Sequence, residues 1–221
     1  MILSPRFEQA LQYAAVVHAG QLRKGTRVPY LSHLLAVTAI VLEHGGGETE
    51  AVAALLHDAV EDAGGAARLA DVRLRFGDEV AAVVEGCTDA DTQPKPPWPE
   101  RKARYIAHLA AAPRSVHLVS AADKLHNLRA LLDDHRNLGP TTWDRFNGKK
   151  QGTLWYYRAL LRAYRDVPPA LLAELCRTFE ELERRAEGDG YRPADGTDEE
   201  ALLRAVAEAE ARHRRPPRGI Q

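Results

Sequence analysis

Hydrophobic positions recur at three- and four-residue spacing along nearly the whole chain. Phe7, Leu11, Ala14, Ala15 and His18 share one face, and Leu34, Val37, Ile40 and Val41 share another. That is the period of helices half sunk in a core. From Glu48 to Asp62 the pattern changes: Ala, Val and Leu dominate, with neither Gly nor Pro inside. Glu48 and Glu50 suit the positive N-terminal end of such a helix, and Gly64-Gly65 stop it. Further helices are predicted at about 66–76, 78–89, 100–111, 115–135, 147–165, 168–187 and 198–213. Ser115-Val116-His117-Leu118-Val119 reads equally as strand or helix, and no other run alternates convincingly. The expected fold class is an all-α globule.

Breakers divide these elements. Gly45-Gly46-Gly47 separates two early helices. The stretch Gln93-Pro94-Lys95-Pro96-Pro97-Trp98-Pro99 must be a non-helical loop, because proline cannot continue a helix and restricts the residue before it. It is either a lid over a site or an inert surface loop. The run from Gly188 through Gly196 reads as a linker to a short final helix, followed by a basic, arginine-rich tail. The expected organisation is therefore one main domain over 1–187 and a helical appendage over 188–221.

Composition narrows the class of partners. Thirty Lys and Arg against 31 Asp and Glu leave a formal net charge of -1 over 221 residues. This balance argues against general nucleic-acid or membrane-surface binding. The N-terminus lacks a basic segment followed by an apolar core, and no apolar run approaches the roughly 18 residues of a membrane span. Cys87 and Cys176 form no CxxC pattern and read as reduced thiols. A soluble cytoplasmic protein is expected, with assembly into a homo-oligomer left open.

The chemistry is concentrated in Leu55-Leu56-His57-Asp58-Ala59-Val60-Glu61-Asp62. A histidine and three carboxylates sit in an apolar, buried-looking segment, where charges are costly unless paired or bound to metal. On one continuous helix His57 faces with Glu61 and Asp58 with Asp62, so all four border one cleft. His57 and Asp58 can share an ion, leaving Glu61 and Asp62 to act on water. The alternative is a solvated helix end, which suits Glu61-Asp62 better than His57-Asp58. His33, near a helix start, and Asp123 and His126, after an apolar approach, are further candidates. A lone histidine on an apolar face is usually a hydrogen-bonded core residue, whereas a buried aspartate must have a partner. A set of two histidines and two aspartates is a nitrogen–oxygen site suited to Mn²⁺ or Fe²⁺, with Zn²⁺, Mg²⁺ and Co²⁺ as alternatives.

The order His33, His57-Asp58, Asp123 follows the signature of HD-domain metal phosphohydrolases. The surrounding wording is narrower. His18-Ala19-Gly20-Gln21-Leu22-Arg23-Lys24-Gly25, Pro29-Tyr30-Leu31-Ser32-His33 and Ala122-Asp123-Lys124-Leu125-His126-Asn127-Leu128-Arg129 together resemble the hydrolase domain of RelA/SpoT-type enzymes. The likeness covers roughly the first 165 residues. It implies an HD-type hydrolase domain that removes the 3′-pyrophosphate of the alarmone (p)ppGpp. It further implies that His33, His57, Asp58 and Asp123 bind one Mn²⁺ and that Glu61 and Asp62 orient and deprotonate water. Asn127 would hold the ribose, and Arg23 and Lys24 would flank the guanine. The chain departs from the family pattern in a longer stretch between Arg23 and His33 and in Ala130, both at the nucleoside side.

A basic segment with Arg145, Lys149, Lys150, Arg158, Arg162 and Arg165 interleaves Trp155, Tyr156 and Tyr157. Taken singly these residues read as a solvated face over an aromatic core. Taken together they could draw a polyanionic nucleotide to an otherwise acidic cleft, with Lys149, Lys150 and Tyr156 as substrate contacts. Two other functions compete with alarmone hydrolysis. One is an HD phosphohydrolase for another nucleotide, such as (p)ppApp or NADPH, and the other is a non-catalytic nucleotide sensor.

Overall fold

A computed structural model of the chain describes residues 2–62, 64–90 and 94–214, leaving aside the side chains of Asp62 and Arg214. The regular elements among the described residues are all helices, apart from one isolated antiparallel bridge between Leu22 and Pro29. The elements run α1 (Pro5–Val17), α2 (Leu31–Glu43), α3 (Glu48–Leu56), α4 (Ala59–Asp62), α5 (Gly65–Phe76) and α6 (Asp78–Cys87). They continue with α7 (Trp98–Leu109), α8 (Arg114–Leu138), a 3-10 helix (Gly139–Arg145), α9 (Lys149–Ala163), α10 (Pro169–Ala186) and α11 (Glu199–Arg214).

The Ala/Val/Leu-rich run forms α3, and it sits at the centre. Every residue from Ala51 to Leu56 is fully buried, because α1, α2, α6 and α8 pack around it. A helix surrounded on all sides has no polar face to show, which accounts for its sequence. Its start is fixed by Glu50, whose Oε2 accepts the Gly47 amide at 2.9 Å. The 25-residue α8 crosses beside it, with Val116 to Asp123 all buried. The ambiguous stretch 115–119 is therefore the first turns of a helix.

Two expectations are corrected. The run from Glu48 to Asp62 is not one helix, since it breaks at His57-Asp58 between α3 and α4. The Nδ1 of His57 lies 2.8 Å from the Ala54 carbonyl, the acceptor that the Asp58 amide would use in a continuing helix. Trp98 and Pro99 belong to α7 rather than to the proline loop, because proline is tolerated in a first turn, where its missing N–H would have no partner. Gln93 lies outside the described residues, as do 215–221 of the basic tail.

The segment after Gly188 packs on the rest of the fold. The helix α11 lies along α7 and α9. Asp189 accepts hydrogen bonds from Trp143 Nε1 at 3.0 Å and Lys150 Nζ at 2.7 Å, with His135 Nε2 at 3.2 Å. Tyr191 and the Ala194 amide both bind Asp144. This strap holds the 3-10 helix and the head of α9. At that head, Gly148 lies so close to Trp98 that a Cβ would meet the ring at 2.7 Å, so only glycine fits.

Candidate metal centre and adjoining cavity

Four side chains converge where α2, the end of α3 and the middle of α8 meet. Ligating atoms of His33, His57 and Asp58 all lie within 4.8 Å of one another. His33 Nε2 is 3.6 Å from Asp58 Oδ2 and 3.2 Å from Asp123 Oδ1. His57 Nε2 is 3.0 Å from Asp58 Oδ2 and 3.7 Å from Asp123 Oδ1. His33, His57 and Asp123 are only 1%, 2% and 5% exposed, so water cannot satisfy them. The helix break at His57-Asp58 is what turns both neighbours inward.

Donor and acceptor accounting tests whether these residues fit a cation. A carbonyl only accepts, so His57 Nδ1 carries a hydrogen toward Ala54. Nε2 of the neutral ring is then a bare nitrogen, and this buried atom has no hydrogen-bond partner. It faces two carboxylate oxygens, which have nothing to donate. Such an arrangement of lone pairs is stable only around a positive charge, and the donor set suits a divalent ion. Burial disfavours a charged His57, but the Asp58 and Asp123 carboxylates hold its ring well above the ordinary histidine value. Burial likewise opposes ionised Asp58, while His57 and His33 keep it well below the usual carboxylate range. Asp123 is also held low against burial, first by Lys124 and then by the two histidines. With no metal bound, protons can take the place of the cation in this cage.

Outer contacts hold the cage in place. Tyr30 OH donates to Asp58 Oδ2 at 2.5 Å, and Asn127 Nδ2 donates to Asp123 Oδ1 at 2.6 Å. Lys124 pairs with the other oxygen of Asp123. His126 stands behind His33, their Nδ1 atoms 2.8 Å apart. Burial, His33 and Arg23 push His126 down to about 4, so it is neutral at ordinary pH.

A cavity of about 630 Å³ opens beside the cage, the size of a small-molecule pocket. Glu61 lines it, its Oε1 accepting from Lys95 Nζ at 2.8 Å, so the proline loop reaches the site through that lysine. Its lining includes Arg101 and Lys102, both paired with Asp89, together with Lys124. Arg23, Lys24, Asn127, Ala130 and Asp133 line it as well. Arg23 is presented by a tight turn in which its amide bonds Val28 O at 2.9 Å and Gly25 adopts a φ of 73°.

Of the residues picked out by sequence, His33, His57, Asp58, Asp123, Glu61, Arg23, Lys24, Asn127 and Tyr156 are gathered at the cage or its cavity. The side chain of Asp62 lies outside the described residues. Lys149 and Lys150 are not among those gathered there. Lys149 Nζ pairs with Asp195 at 2.7 Å, and Lys150 Nζ is spent on Asp189 and the Ala186 carbonyl. Both serve the C-terminal strap and neither lines the cavity. The sequence reading missed Arg101 and Lys102. The pair follows a proline-rich loop in no recognisable motif, and α7, packed on α9 and α11, brings it to the cavity.

The HD-domain family matches residues 10–145, more than half of the chain. The chain belongs to the HD-domain family. Among its relatives is a Xenopus tropicalis protein named guanosine-3′,5′-bis(diphosphate) 3′-pyrophosphohydrolase MESH1, 41% identical over 127 residues, which are 56% of this chain and 68% of that one. The Mus musculus protein of the same name is 40% identical over 139 residues, 61% of this chain and 72% of the other. A GTP pyrophosphokinase of Streptomyces coelicolor is 38% identical over 128 residues, but these are only 15% of that longer protein. Among solved structures, a metazoan ortholog of SpoT described as hydrolysing ppGpp superposes with a TM-score of 0.69 at 30% identity, covering 82% of this chain and 98% of its own. None of the described helices is long and apolar enough to cross a membrane.

Proposed function

We propose that this HD-domain enzyme hydrolyses the 3′-pyrophosphate of (p)ppGpp, releasing pyrophosphate and leaving GDP or GTP, with Mn²⁺ as its cation. The buried, unpartnered Nε2 of His57 facing Asp58 and Asp123 carries the reading, because it calls for a positive charge. The similarity to proteins named as 3′-pyrophosphohydrolases supports the choice of bond.

His33, His57, Asp58 and Asp123 would hold the ion. When bound, it supplies Lewis acidity, making water a stronger acid and neutralising charge on phosphoryl oxygens. The chain's own residues do the rest. Glu61, steadied by Lys95, takes the proton from the attacking water, with Asp62 beside it in sequence sharing that role. Arg101, Lys102 and Lys124 draw the phosphates into the cavity and balance their charge. Asn127 holds the ribose, while Arg23 and Lys24 flank the base, an arrangement that fixes the phosphorus in line with the water. Tyr156, beneath Lys102 with the ammonium 4.7 Å from its ring, shapes the floor.

The test is product identification after incubating the Mn²⁺-loaded protein with ppGpp, ppApp and NADPH. Pyrophosphate from ppGpp with the highest kcat/KM of the three is expected. A preference for ppApp would move the reading to the adenine alarmone, and orthophosphate from NADPH alone would replace it.

A further inference from the structure

Arg23 offers a way to read hydrogen positions at the cage, because a guanidinium has donors and no acceptor. Its Nη1 lies 3.2 Å from His126 Nδ1, and its Nη2 donates to Asn127 Oδ1 at 3.1 Å. His126 Nδ1 must therefore be the bare nitrogen of its ring. His33 Nδ1 lies 2.8 Å from that same atom, so it must carry the hydrogen and donate it. The remaining nitrogen of His33, Nε2, then presents its lone pair toward Asp58 and Asp123. Arg23, His126 and Asn127 form a closed brace, for Asn127 in turn donates to Asp123.

We infer that His126 is a positioning residue: it accepts hydrogen bonds from both His33 and Arg23, fixing the metal-binding tautomer of one and the cavity-facing pose of the other. This rests on the reading that the cage holds a divalent cation. His126 touches neither cation nor substrate in this scheme and works through its two donors. Partners behind a ligating histidine commonly set its orientation and its affinity for metal. The same brace makes metal and nucleotide interdependent, since Arg23 in the cavity lining and His33 in the cage share one acceptor atom.

The experiment compares wild type with His126→Leu, which has no acceptor, and His126→Gln, whose carbonyl oxygen can accept from both neighbours. Mn²⁺ affinity is measured by titration calorimetry on chelator-stripped protein, with the melting temperature of each metal-free protein recorded alongside. His126→Phe replaces the leucine variant should that one not fold. The expected result is a loss in Mn²⁺ affinity of about 10–100-fold for the apolar variant and recovery to within a few-fold by Gln. KM for ppGpp should follow the same order. Wild-type affinity in the apolar variant would overturn the inference. So would equal losses in the apolar and Gln variants, because these would trace to packing rather than to the acceptor. A wild-type protein that binds no Mn²⁺ would remove the cation reading and this inference with it.

Discussion

His57 and Asp58 are chain neighbours that both lie in the break between α3 and α4, where their side chains reach one point. His57 is buried and Asp58 half-buried, each is charged only at a cost, and each is held by the other. Replacing Asp58 with Ala should abolish Mn²⁺ binding and turnover together, which calorimetry and a product assay would report on the same sample. Glu61 stands outside the cage, so Glu61→Gln should leave Mn²⁺ affinity within a few-fold while kcat falls by about 10²–10⁴-fold, the usual worth of a general base. A joint loss of metal and rate in Glu61→Gln would place that carboxylate among the ligands instead. At this scale the site was legible where chemistry forces rarity. An aspartate such as Asp58 or Asp123 in an apolar run has few innocent explanations. Lysines carry no such signal. Lys149 and Lys150 look identical in sequence to substrate contacts, and only their distances to Asp195 and Asp189 reveal a structural role.

At the scale of elements, periodicity located most helices, because amphipathic faces must bury their apolar stripe whatever lies opposite. It could not reveal the break between α3 and α4, where a histidine side chain competes for a backbone carbonyl. Nor could it show that the strap after Gly188 is fastened to the 3-10 helix, since it is held by scattered polar contacts, among them those of one acid in a glycine-rich stretch. That acid, Asp189, is only 5% exposed at its side chain. Burial works against its charge, but hydrogen bonds from Lys150, Trp143, the Tyr191 amide and His135 hold its carboxyl at about 2. Its folded value lies below its unfolded one, so its contribution is present above about pH 4 and fades as pH falls toward 2. Asp189→Ala should cost about 2 kcal/mol at pH 7, the scale of a lost buried charge-assisted pair. Urea unfolding of both proteins from pH 7 to 3 should show the gap narrowing below about pH 4. A constant gap would mean that the charge of Asp189 contributes nothing.

For the molecule as a whole, the elements build a cage at the buried end of α3 and open a cavity lined by basic residues beside it. Helical class and the order of the ligands were legible along the chain because both are local. The pairing of α7 with α9 and α11, which brings Arg101 and Lys102 to the cavity, is a long-range fact that no local pattern encodes. A ligand that binds only the folded state stabilises it by mass action. Mn²⁺ at a hundred times its Kd should therefore add about 2.7 kcal/mol, raising the melting temperature by roughly 5–10 °C in a chain of this size. Chelator should reverse the shift, and Asp58→Ala should show none. The central claim concerns which bond breaks, and ³¹P NMR of ppGpp with the Mn²⁺-loaded protein reports it directly. The account predicts that free pyrophosphate grows as the 3′-diphosphate signals decay while the 5′-diphosphate signals persist as GDP. Orthophosphate as the first product, loss of the 5′ signals, or an unchanged spectrum would contradict it.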